Sequence, residues 1–133
     1  MKKKKQQTYN VIVPNNYKIK PAELEAAYIL SNHFKADVHV LSPSKGFMIK
    51  TADFIIKNKE YELKSPITSN VKSIEKKIKH STQQSNHLII DMRRSNINEK
   101  KMISICENML SNLKKLSEIL LIVNNKKIID FRK

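Results

Sequence analysis

The stretch ADFIIKNKEYELK, residues 52–64, decides the fold. Its strand formers fall in two runs, 47–56 and 60–64, around a turn at Asn58-Lys59, and this pattern predicts a β-hairpin. With those two turn residues, Ile56 lies opposite Tyr61, Ile55 opposite Glu62, Phe54 opposite Leu63 and Asp53 opposite Lys64. Side chains alternate faces along a strand, and paired residues share a face. Asp53, Ile55, Glu62 and Lys64 therefore point to one side, and Phe54, Ile56, Tyr61 and Leu63 to the other, which is the core side. A lysine beside two carboxylates can be a simple cross-strand ion pair, worth under ~1 kcal/mol if exposed. It is also what a hydrolytic magnesium site requires. Two carboxylates hold a hard cation that keeps several waters, and the lysine orients the attacking water or neutralises charge.

Working outward, residues 8–13 read as a short strand or ordered arm, ended by Pro14. Pro21 suits a helix start, and a helix is expected over 22–34 with Glu23, Ala27, Leu30 and Phe34 on one face. Strand 37–41 and a turn over 42–46, holding Pro43 and the single glycine, lead into the hairpin, which Pro66 stops. A helix over 71–84 carries Val71, Ile74 and Ile78 as its apolar stripe. Strand 88–91, a long helix over 98–116 and a hairpin of 118–123 with 128–131 complete the chain. The expected fold is one α/β domain, a mixed central sheet flanked by helices, with a basic arm over 1–20 and the folded domain over 21–133.

Composition bounds the rest. The chain has 133 residues, 40% of them apolar, which suits one domain with a core and excludes a wholly disordered chain. No apolar run nears the ~18 residues of a membrane span, and no cleavage site follows the basic N-terminus, so a soluble cytoplasmic protein is expected. Cys106 is the only cysteine, which excludes an internal disulfide or a cysteine zinc cluster. Lys plus Arg number 26 against 12 acids, a net +14, and this favours a polyanionic partner, nucleic acid ahead of a membrane surface. The Lys2 to Lys5 run reads as a solvated arm.

Asp53, the short hairpin and Glu62-Leu63-Lys64 match the D…(D/E)xK signature of the restriction-endonuclease-like nucleases, the PD-(D/E)xK superfamily. A glutamate-bearing helix before the motif, and a helix and strand after it, follow that superfamily's α-β-β-β-α-β order. Within it, residues 52–70 and 74–93 resemble the C-terminal nuclease domains of CdiA-type contact-dependent growth inhibition toxins, which include tRNA-cleaving members. The likeness spans residues 21–131. It implies Asp53 and Glu62 as ligands of Mg2+ or another divalent cation, and Lys64 as the catalytic lysine. An acid on the first helix completes such sites. Glu23 is preferred because it shares the inward face, whereas Glu25 lies about 200° around the helix. Gln84 matches a glutamine near the end of the second helix, or is a solvated helix-end amide. Ala52 stands where a proline often precedes the first acid. Toxins of this kind are neutralised by an immunity protein, and a basic toxin suits an acidic one.

Lys72, Lys76, Lys77 and Lys79 on the second helix, with Arg93 and Arg94, can grip phosphates. Asp91 can support the site or simply pair with those arginines. Ser65, Thr68 and Ser69 read as a turn and helix cap before phosphate donors. His80 and His87 suit metal-free RNA cleavage only if one helix carries both, and Asn86 stands against that. His33 and His39 read as structural, and Cys106 as a buried thiol. Four Tyr, four Phe and no Trp give little for base stacking, so backbone recognition of a duplex or tRNA is expected. The expected function is a metal-dependent endonuclease acting on RNA, tRNA in particular, as a toxin. A DNA-cleaving version would use the same residues. The alternatives are a metal-independent RNase and a non-catalytic nucleic-acid-binding module.

Overall fold

The computed structural model describes residues 9–42 and 52–133. The Lys2 to Lys5 arm, the Pro43 to Gly46 part of the expected turn and the first part of the strand expected over 47–56 lie outside them.

Seven strands and three helices are arranged β1 (Val11–Ile12), α1 (Pro21–Phe34), β2 (Val38–Val40), β3 (Phe54–Ile56), β4 (Lys59–Lys64), α2 (Val71–Ser81), β5 (His87–Asp91), α3 (Glu99–Asn112), β6 (Glu118–Ile122) and β7 (Ile128–Arg132) among the described residues. They form one mixed sheet in sequential order. β4, β5 and β6 run parallel, while the β2–β3, β3–β4 and β6–β7 pairs are antiparallel. The 11–12 segment joins the sheet as an edge strand parallel to β2.

Both faces of the centre are covered, which explains why β5 and β6 read as nearly continuous apolar runs. α1 lays Ala26, Ala27 and Leu30 on Phe54, Ile56, Tyr61, Ile89 and Leu120. α2 and α3 lay Ile74, Ile78, Met102, Ile105 and Cys106 on Leu88, Ile90, Ile119 and Leu121. Burial pushes the Cys106 thiol up to about 12, so it is inert at neutral pH.

Three boundaries differ from expectation. The hairpin turn is Lys57-Asn58, not Asn58-Lys59: Ile56 lies opposite Lys59 and Phe54 opposite Tyr61. Lys57 and Asn58 both have positive φ, 50° and 67°, as a two-residue I′ turn demands, and that twist matches the strands. The pairing moves by two residues, one full pleat period, so the side chains within β3 and β4 keep their predicted faces. α2 ends at Ser81, not near Gln84. The Ser81 hydroxyl donates to Ile78 O and the Thr82 hydroxyl to Lys79 O, competing with the helical ladder. α3 ends at Asn112, because Leu113 turns to an extended backbone; Leu116 is buried beyond it. Asn70 and Asn98 cap α2 and α3 through their side-chain oxygens.

Candidate active site

β4 carries Glu62 and Lys64 at its C-terminal end. In the parallel register Glu62 lies beside Leu88 and Lys64 beside Ile90, so both point to the α2 side, while Leu63 packs with α1. Asp53 sits just before β3. Its N–H donates to Tyr61 O, and its Oδ2 accepts from the Leu63 N–H at 2.8 Å. That bond clips the Asp53 carboxylate to the strand bearing Glu62 and Lys64. The Asp53 and Glu62 carboxyls are close enough to perturb each other's ionisation, and Lys64 Nζ lies 3.2 Å from Glu62 Oε2.

Electrostatics follow from burial. Glu62 is 6% exposed, and its Oε1 has no hydrogen-bond partner. Desolvation, and then the neighbouring Asp53 charge, push its carboxyl up to about 7, against the opposing pull of Lys64. Burial also raises Asp53, partly offset by the Leu63 N–H. Two acids are thus held together in a place that favours a proton or a cation between them. Hard oxygen donors and an orphaned buried carboxylate oxygen fit a divalent cation. Among the described residues no group of three or more His, Cys, Asp or Glu could hold a metal ion; Asp53 and Glu62 are the two carboxylates that would hold a cation here.

Glu23 does not enter that donor pair directly. It lines a cleft of about 720 Å3 with Asp53, Leu63, Ser65 and Arg94, and burial raises its pKa. Tyr17, which the sequence reading missed, also lines this cleft. Its hydroxyl donates to Glu23 Oε1 at 2.8 Å, and burial with the Glu23 bond pushes the phenol up to about 12. Position 17 lies outside any motif, so only the packing of the segment before α1 reveals it. Glu25 faces elsewhere, bridging Arg93 and Lys126.

A second cleft, about 810 Å3, lies on the α2 side, lined by Lys64, Ser65, Lys76, Lys77, His80 and Arg94 among others. Ser73, Lys76, Lys77 and His80 fall at helical spacing opposite the apolar stripe, which places them together. Lys72 and Lys79 are exposed but do not line it. Arg93 departs from the expected phosphate grip. Its guanidinium holds buried Asp91 at 2.8 and 2.7 Å and Glu25 at 2.7 Å, so it is occupied as a structural clamp. Gln84 lines a different cleft with Lys59, Glu60 and His87, and no hydrogen bond joins its side chain to Asp53, Glu62 or Lys64. His87 begins β5, with Nδ1 2.8 Å from Glu118 Oε1, while His80 stays on α2, so no single helix carries both.

Residues 50–128, more than half of the chain, match the family described as the contact-dependent growth inhibition CdiA C-terminal domain. A solved structure described as a CdiA-CT/CdiI toxin and immunity complex from Burkholderia pseudomallei is similar, with a TM-score of 0.72. The likeness covers 93% of this chain and 99% of that one at 16% identity, which speaks for a shared fold. No curated protein matches the chain. A match over more than half of the chain, including Asp53 and the strand that carries Glu62 and Lys64, places this chain in the CdiA C-terminal domain family of contact-dependent growth inhibition.

Proposed function

We propose that this domain is a metal-dependent endonuclease of the PD-(D/E)xK type that acts as a toxin in a target cell, with RNA, tRNA in particular, as its substrate. The observation that carries this reading is the convergence of Asp53, Glu62 and Lys64 beside a cationic cleft. Asp53 and Glu62 would hold the cation; once bound, it supplies charge neutralisation on the phosphate and a more acidic water. The chain's own groups do the rest. Lys64 Nζ, beside Glu62, orients the water that attacks phosphorus and faces the charge that grows there. Lys76, Lys77 and Arg94 hold flanking phosphates. Glu23, fixed by Tyr17, aims a second acidic side chain into the cleft beside Asp53. The choice of tRNA rests on the likeness of residues 52–93 to tRNA-cleaving CdiA domains. The similar toxin was solved with its immunity protein, and an acidic counterpart would bind this basic chain.

The test incubates the protein with total tRNA, and separately with plasmid DNA, in magnesium or in EDTA. Glu62→Ala and Lys64→Ala proteins, shown to be folded, run alongside. Discrete RNA fragments should appear with magnesium and vanish with chelation and with either substitution. Cleavage that survives EDTA overturns the metal reading, and nicking of plasmid alone assigns DNA instead.

A further inference from the structure

Burial of the acids and the make-up of the two clefts point to the form in which the polyanion arrives. Glu62 is nearly covered, and Asp53 is clipped into the sheet by the Leu63 N–H. A reacting phosphate must come down to them. Ser65 and Arg94 line both the cationic cleft on the α2 side and the Tyr17 cleft on the α1 side. The two clefts therefore meet at the end of β4, where Lys64 stands.

Ile67 adds the discriminating observation. It is 65% exposed and lines the cationic cleft. Only two other large apolar side chains are exposed among the described residues, Ile12 and Tyr28, and neither lines these clefts. A duplex shows its surroundings phosphates, sugars and base edges, with the base faces stacked inside. An unpaired nucleotide shows a whole apolar base face as well, a far larger partner for an apolar side chain set among cations than sugar edges or a thymine methyl.

We propose that the nucleic acid binds as an unpaired strand running from the cationic cleft across Ser65 and Arg94 into the Tyr17 cleft, with a nucleobase packed on Ile67. Lys64, Lys76, Lys77 and Arg94 hold its phosphates and set affinity. Ile67 sets the preference for unpaired over paired substrate. In a structured RNA the bound element is then a loop or a single-stranded end. What happens at Asp53 and Glu62 rests on the nuclease reading; the binding does not.

The test is fluorescence anisotropy in EDTA, where cleavage cannot intervene. Short labelled RNA and DNA oligonucleotides are used, each single-stranded or annealed to its complement, over a salt series. Single strands should bind at least about fivefold more tightly than duplexes. Ile67→Ser should remove most of that preference with the salt slope unchanged, and Ile67→Phe should enlarge it. Position 67 is exposed, so neither change touches the core. Arg94→Ala should weaken every ligand and lower the salt slope by about 0.7–0.9. Preference in both RNA and DNA supports recognition of the shared backbone and base face, and preference in one alone supports that nucleic acid as the ligand. Duplexes that bind as tightly as single strands overturn the proposal, as does a preference that survives Ile67→Ser. A retained preference without magnesium-dependent cleavage would refute the nuclease reading alone.

Discussion

Glu62 is held where its charge is least welcome. Its folded pKa is raised above the ordinary carboxylate value to about 7 by desolvation and by Asp53, so the metal-free folded state binds a proton that the unfolded chain has released. That contribution to stability is fully present below about 4.5 and is lost as pH rises through about 7. Glu62→Gln removes the charge and keeps the shape. Without metal it should melt higher than the parent at pH 8, by on the order of 2–3 kcal/mol of unfolding free energy, and the gap should close as pH falls to 4.5. The same variant should not cleave. Thermal melts across pH, compared with activity, check both halves. Arg93 illustrates the opposite case. Removing it leaves fully buried Asp91 without its cation, and Arg93→Ala should cost about 3–5 kcal/mol in a urea titration. A phosphate-gripping arginine would instead lower affinity at constant stability.

The β3–β4 hairpin explains why the face bearing Glu62 and Lys64 was legible although the register was not. Alternation has period two, and the turn chosen by the backbone shifts the pairing by two, so Glu62 and Lys64 stay on their predicted side, while Asp53, just before the ladder, lines the cleft beside Glu23. Which two residues turn depends on who tolerates positive φ. Asn58 does so readily, whereas Lys57 at φ 50° carries a Cβ that opposes it. Lys57→Asn should therefore raise stability by roughly 0.5 kcal/mol, measured as a rise in denaturation midpoint at constant slope. α2 was equally readable. An apolar stripe at Val71, Ile74 and Ile78 leaves Ser73, Lys76, Lys77 and His80 on the outward face that lines the cleft. Its end was not readable, because hydroxyl groups at Ser81 and Thr82 take up carbonyls locally and stop the helix early.

At the scale of the whole molecule, a net +14 makes encounter with any acidic partner electrostatic. If an acidic immunity protein binds this domain, its association rate should fall by one to two orders of magnitude between low and high salt, while dissociation changes far less. Stopped-flow measurements over a salt series would read this. Among the described residues no helix is long and apolar enough to cross a membrane. Strand and helix order, the two-faced central strands and the side on which Glu62 and Lys64 emerge follow from local period and propensity, and the sequence carries them. Tertiary structure alone decided that Tyr17 would hold Glu23, that Arg93 would be consumed by Asp91 and Glu25, and that two clefts would meet at Ser65 and Arg94. Those pairings join residues that no local pattern links. Glu25 and Arg93 lie on separate elements, and Tyr17 precedes its helix in an irregular segment, so packing alone brings them together.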